Sequence, residues 1–245
     1  MRLALFDLDH TLIPIDSDHA WGVFLVHRGI VDGEAFARAN DRFYEQYQDG
    51  SLDIHAYQRF ALEPLSRLAA ADLARLHAEY MERIIEPVIR PQELELVRSH
   101  RASGATCILI TATNEFVTAP IARRFGLDHL IASRAEMEDG RYTGRPTGIA
   151  SFREGKLLRL IEWLELMSEI PRGDALALER ILSAAVFYSD SANDLALLER
   201  VGHPVATNAD PRLRAHAERL GWRRLELFAD DATSAPAASG FSACE

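Results

Sequence analysis

The sequence predicts an α/β fold, a parallel sheet with helices on both faces, with an all-helical cap inserted directly after the first strand. Three observations carry this. Short apolar runs at 3–6, 106–111, 129–133, 184–190 and 203–207 read as buried strands, and amphipathic helical stretches lie between them. Two of those runs end on acids, Asp7-Leu8-Asp9 after the first and Asp190 at the end of the fourth. The segment 15–86 breaks the alternation and shows no convincing strand.

Taken in order, the run 3–6 delivers Asp7 and Asp9 to the carboxyl end of a strand, where ligands sit in open α/β sheets. Two Asp residues two positions apart point to the same side and repel unless a cation lies between them. Magnesium, which prefers oxygen ligands, meets that need. Helices follow at 18–27, 32–48, 53–66 and 71–86, punctuated by Gly29, Asp49-Gly50 and Pro64. A helix at 92–103 stops at Gly104 and leads into the second strand. Asp139-Gly140 marks a hairpin. In the stretch 156–167, Leu157, Leu160, Ile161 and Leu164 share one helical face. The domain boundaries expected are a core of 1–14 and 88–230, a cap of 15–87 and a disordered tail of 231–245, rich in Ala, Ser and Pro.

Composition narrows the partners. At 245 residues, 48% hydrophobic and 26% charged, the chain is ordinary for a soluble globular protein. A formal net charge of -10 argues against nucleic acid or an anionic membrane surface as the main partner. Two cysteines, one in an apolar run, make no disulfide framework, and no apolar run reaches membrane-spanning length. The N-terminus does not read as a signal peptide, so the cytoplasm is the expected location. The oligomeric state is left open.

Further residues suggest chemistry. Thr111-Ala112-Thr113-Asn114 follows the second strand and is expected to open a helix, where a hydroxyl and free N–H groups suit an anion but serve equally as a plain cap. Ser189-Asp190-Ser191-Ala192-Asn193-Asp194 repeats the theme. Asp190 could meet Asp7 and Asp9 across the sheet, while Asp194 in a first helical turn is favoured by the dipole alone. Lys156 is the only lysine; the other 26 of the 27 basic residues are Arg. A compact ammonium sits between a carboxylate and a phosphate better than a planar guanidinium does. No zinc spacing, nucleophile elbow, phosphate loop or dinucleotide fingerprint occurs.

Together DLDHTL, the first Thr of LITAT, Lys156 and SDSANDLALL resemble, in order, the four motifs of the haloacid dehalogenase-like (HAD) hydrolase superfamily. The helical insertion resembles the branch that contains phosphoserine phosphatases. The resemblance implies a Rossmann-like core and a Mg2+-dependent phosphomonoesterase acting on a small-molecule phosphate ester. Asp7 would be the nucleophile that becomes an aspartyl phosphate, and Asp9 the acid that protonates the leaving alcohol and then activates water. Asp7, Asp9 through its backbone carbonyl, Asp190 and Asp194 would form the Mg2+ site. Thr111, Ala112, Lys156 and Asn193 would hold the phosphoryl group. Asp16 stands where phosphoserine phosphatases carry Glu, and Arg59 is similar to their cap Arg, the pair that reads the amine and carboxylate. The shorter acid, the neighbouring Asp18, His19 and Trp21, and Thr-Ala-Thr-Asn in place of Ser-Gly-Gly put phosphoserine in doubt. Histidinol phosphate, with an amine and an imidazole but no carboxylate, stands level with it. A phosphotransferase or mutase using the same aspartyl phosphate, or a non-catalytic phosphometabolite-binding domain, are the alternatives.

Overall fold

The computed structural model describes residues 1–228, so the tail expected at 231–245 lies outside the described residues. The central strand is β1 (Leu3–Phe6), flanked by β2 (Thr106–Asn114) and β5 (Val186–Ser189). Beyond β2 lie β3 (His129–Glu138) and β4 (Arg141–Thr147); beyond β5 lie β6 (His203–Thr207) and β7 (Arg223–Leu225). All neighbours run parallel except β3 and β4, which form the antiparallel hairpin expected at Asp139-Gly140.

The side-chain period of two splits each inner strand between two hydrophobic clusters. Leu3 and Leu5 join Ile108, Ile110 and Phe187 on one face, whereas Ala4 and Phe6 join Cys107, Leu109 and Tyr188 on the other. The first face is covered by α7 (Glu154–Leu166), α8 (Ala175–Ser183), α9 (Leu195–Leu198) and α10 (Pro211–Leu220), through Leu160, Ile181, Leu197 and Leu213. The second is covered by α5 (Pro91–Ala102) and α6 (Glu115–Phe125), through Val97 and Ile121. Covering both faces buries all of β1 and most of its neighbours β2 and β5, which is why they read as apolar runs.

The segment between β1 and β2 is helical, as expected: α1 (Ser17–His27), α2 (Gly33–Asp49), α3 (Ile54–Ser66) and α4 (Ala70–Tyr80). It is not a detached unit. Trp21, Leu25, Leu73 and Tyr80 of α1 and α4 belong to the same cluster as Phe6 and Leu109. The aromatic rings of α2 and α3 hold those helices to each other, with Phe36 and Phe60 stacked at 4.4 Å and Phe43 at 5.1 Å from Phe60.

Several boundaries differ from the sequence expectation. The helix expected over 71–86 ends at Tyr80 and continues as a π turn, Met81–Ile85, and a short 3-10 turn, Glu86–Val88. Pro87, which has no N–H to donate, lies in that last turn. Pro64 does not stop α3, which runs two residues past it. The strand expected at 184–190 is shorter, because Ala184 closes α8 and Asp190 lies just beyond the last paired residue. The sequence reading did not single out α8, α10 or β7. Among the described residues no helix is long and apolar enough to cross a membrane.

Candidate active site

Parallel pairing of β1 with β2 and β5 brings three strand ends side by side, and with them residues far apart in the chain. The N–H of Asp7 donates to the carbonyl of Tyr188 at 2.9 Å, tying the first acid to β5. The chain then turns tightly, with the N–H groups of Thr11, Leu12 and Ile13 all donating to the Leu8 carbonyl. That turn places the Thr11 hydroxyl 3.4 Å from both Asp7 Oδ2 and Asp190 Oδ1, while the same oxygen accepts the N–H of Asp190 at 3.0 Å. Asp7 and Asp190 therefore face each other across one hydroxyl.

Lys156 enters from the first turn of α7 and donates to Asp7 Oδ1 and Asp194 Oδ2, each at 2.7 Å. Asp194 Oδ2 also accepts from the Ser189 hydroxyl at 2.7 Å. Lys156 is only 1% exposed. Burial disfavours its ammonium, but Asp194 and Asp7 outweigh that and raise its pKa, so it stays charged. Gly155 makes the approach possible: a Cβ there would lie 2.0 Å from the Ala150 carbonyl oxygen.

Asp9 is held differently. Its Oδ1 accepts the Ser17 N–H at 2.7 Å and its Oδ2 the Thr113 hydroxyl at 2.8 Å. Burial first, then Asp16 and Asp7, push its pKa well above the ordinary carboxylate value. Burial also lifts Asp7, but Lys156 restrains it and it reaches only about 6. Two neighbouring acids thus sit in environments that separate their protonation states, the arrangement that divides acid and nucleophile roles.

Above them lies a cavity of about 30 Å³, room for a water or two. Its floor is Asp7, Asp9, Thr111, Ala112 and Thr113; its walls include Asp16, Asp18, Tyr44, Tyr47 and Tyr57. Asp16 caps α1 by accepting the His19 N–H at 2.8 Å. Asp18 is buried, accepts from Asn114 Nδ2 at 3.0 Å and is hydrogen-bonded by Tyr57. Burial and then Asp16 lift its pKa to about 7, against those two donors.

Some expected residues lie elsewhere. Arg59 is exposed on α3, near Asp53, and does not line the cavity. Asn193 is turned away from the floor: its Oδ1 accepts from Arg153 Nε and its Nδ2 donates to the Tyr47 carbonyl, both at 3.3 Å. Arg153 also donates to the Gly50 carbonyl, so these two side chains fasten α2 and the turn after it to the core. Trp21 is in the hydrophobic cluster against Phe24, His77, Tyr80 and Phe116. Thr111 does not open a helix. β2 continues through β-branched Thr111 and Thr113, and Asn114 caps α6 by accepting the Val117 N–H. The sequence alone offered no role for Thr11, Thr113 or Gly155, because Thr11 and Thr113 touch Asp190 and Asp9, remote in the chain, and Gly155 acts by close approach.

Among the described residues no three His, Cys, Asp or Glu side chains form a ready metal cage. Of the expected set, Lys156 holds Asp194 Oδ2 and Asp7 Oδ1, and Asp9 was expected to offer its backbone carbonyl, not its carboxylate. Asp7 Oδ2 and Asp190 Oδ1 are the carboxylate oxygens that face each other across the Thr11 hydroxyl. Burial, then Asp7 and Asp194, raise the Asp190 pKa well above normal. The donors of this set are all hard oxygens, a fit to Mg2+.

The chain matches the sequence profile of the haloacid dehalogenase-like hydrolases over residues 4–199, and it belongs to that family. It is 43% identical to a histidinol-phosphatase from Neisseria meningitidis over 227 residues, 92% of this chain and 99% of that protein. It is 34% identical to a phosphoserine phosphatase from Mycobacterium tuberculosis, covering 89% of this chain and 68% of the other. A Bordetella pertussis protein of unknown function superposes with a TM-score of 0.83 at 46% identity, over 93% and 99% of the two chains. A substrate-bound phosphoserine phosphatase shares the fold, with a TM-score of 0.62 at 18% identity over 91% of each chain. The phosphatase class expected from the motifs is the one these named relatives carry.

Two stability measurements check the site. Replacing Lys156 by Met leaves Asp7 and Asp194 buried without their cation and is expected to destabilise by about 3–5 kcal/mol in urea denaturation at neutral pH. The second concerns Asp18. A folded pKa raised from 3.8 to about 7 means that wild-type stability is fully present below about pH 4 and falls as pH rises toward 7. Asp18→Asn removes that fall. The variant should match wild type near pH 4 and exceed it at pH 8 by up to about 4 kcal/mol.

Proposed function

We propose that this hydrolase is a Mg2+-dependent phosphomonoesterase that works in the cytoplasm through an aspartyl phosphate on Asp7, with histidinol phosphate as its substrate. The observation that carries the reading is the pairing of Asp7, gripped by Lys156, with Asp9, kept as an acid by burial and its acidic neighbours. Asp7 attacks phosphorus while Asp9 gives its proton to the leaving alcohol oxygen. Asp9, now ionised, takes a proton from water as that water attacks the phosphorus of the aspartyl phosphate, which releases inorganic phosphate and restores both carboxyl groups. Lys156 stays charged throughout and offsets the repulsion between a carboxylate and a phosphate dianion. Thr111 and Ala112 stand on the cavity floor to receive the phosphoryl oxygens. Mg2+ would be held by the Asp7 and Asp190 carboxylates and the Asp9 carbonyl, with Asp194 supporting from behind, and it supplies further charge neutralisation at the transferring group.

Substrate choice follows from the walls. The described cavity lining carries Asp16 and Asp18 above the floor and no Arg or Lys. An ammonium or imidazolium is favoured there, and a substrate carboxylate is repelled. With Arg59 outside the cavity, nothing in the lining pairs with the carboxylate of phosphoserine. The 43% identity to a histidinol-phosphatase supports the same choice. Because the cavity holds only about 30 Å³, an ester of this size needs its wall to open for entry.

The test is phosphate release from histidinol phosphate, phosphoserine, several sugar phosphates and p-nitrophenyl phosphate, with Mg2+ and with EDTA. Mg2+-dependent release, highest kcat/KM on histidinol phosphate, and a loss of about 10³-fold or more in Asp7→Asn are expected. Turnover that survives EDTA or Asp7→Asn would sink the mechanism. Loss of ester without free phosphate would point to a phosphotransferase.

A further inference from the structure

Asp18 is a buried carboxyl that the phosphoryl chemistry does not use. It lies in the first turn of α1, 6% exposed, on the wall of the reaction cavity. Asn114 Nδ2 from the end of β2 and Tyr57 from α3 both donate to it. Three elements therefore converge on one carboxylate. Two donors leave half of its acceptor capacity open. Asp16, two residues earlier, lines the same cavity and raises the pKa of Asp18 further, so two acids stand on one cavity wall. No described Arg or Lys lines the cavity to balance them, and Asp18 has no ion-pair partner among the described residues. A buried acid of this kind costs stability in the free protein, and a cation brought by a ligand removes the cost. Tyr44, Phe43 and Tyr57 line the same cavity, and aromatic rings attract cations.

We infer that Asp18, positioned by Asn114 and Tyr57 and assisted by Asp16, is the specificity-determining residue that binds the cationic end of the substrate. This rests on the phosphomonoesterase reading, and it adds the site that separates a cationic phosphate ester from a neutral or carboxylate-bearing one. The acid belongs to α1 itself and not to the exposed face of α3 that carries Arg59. Its chemistry calls for an ammonium or imidazolium and excludes a carboxylate at that end.

Two measurements test it, one of them independent of turnover. In calorimetry, histidinol should bind to the wild-type protein at least tenfold more tightly than histidine, which adds a carboxylate. Asp18→Asn should weaken histidinol binding by about tenfold or more, the loss of a charge-assisted contact. In kinetics, the ratio of kcat/KM for histidinol phosphate to that for p-nitrophenyl phosphate should fall by about tenfold or more in Asp18→Asn, through KM. Tyr57→Phe, which removes one donor to Asp18 and no charge, should lower the same ratio by a smaller factor. An unchanged ratio, or equal binding of histidinol by wild type and Asp18→Asn, overturns the assignment. If no ester is hydrolysed at all, the phosphomonoesterase reading fails, while the binding comparison still decides the role of Asp18.

Discussion

One ammonium holds together the acids around which the strand ends are organised. Asp7, Asp190 and Asp194 come from the ends of β1 and β5, all of them buried, and Lys156 donates to two of the three. Without it, like charges would be confined in a region where water cannot screen them, and each pair would repel strongly at these separations. The sheet order makes this confinement unavoidable. With β1 in the centre and β2 and β5 beside it, whatever follows those three strands must meet. The loop after β1 closes on itself around the Leu8 carbonyl, and the tight turn aims Asp7 and Thr11 at β5.

The second acid couples the chemistry to the helical insertion. Asp9 accepts one hydrogen bond from the start of α1 and one from the Thr113 hydroxyl on β2. Both donors favour an ionised carboxylate, yet burial and the nearby Asp16 and Asp7 outweigh them and push its pKa well up. The insertion thus supplies the acid's partner, its electrostatic neighbour and the cavity wall at once. α1, α3 and α4 place Trp21, Leu62, Leu65, Leu73 and Tyr80 in the core cluster, and Phe36 of α2 packs against it. Arg153 and Asn193 add polar contacts to the Gly50 and Tyr47 carbonyls at the end of α2 and the turn after it.

Much of this was legible in the sequence because the strands are buried on both faces and write themselves as apolar runs. The candidate catalytic acids were legible because they follow those runs directly. The helical phase of the insertion was not. Tyr57 lines the cavity and Arg59, two residues on, turns about 200° away around α3, so the position similar to a substrate-reading Arg faces solvent. Trp21 stands near Asp16 in sequence and weighed in the substrate reading, but four aromatic neighbours from α1, α4 and α6 claim it for the core. Asn193 follows an acid motif yet is claimed by Arg153 and Tyr47. β7, a short edge strand of Arg-Arg-Leu, has no apolar run to announce it. In each case the deciding partner is remote in the chain, and residue type alone does not reveal it.

The single lysine shows how far a local constraint can override a general habit. Everywhere else the chain uses Arg for positive charge. At position 156 the two acceptors approach one nitrogen from different elements, each at 2.7 Å, in a space 1% exposed and entered past a glycine that tolerates no Cβ. A guanidinium would bring five donors in a rigid plane, and those not facing Asp7 and Asp194 would be buried without acceptors. The ammonium brings three. Two are used by the carboxylates, so one small cation satisfies both acids in a space that a guanidinium would leave short of acceptors.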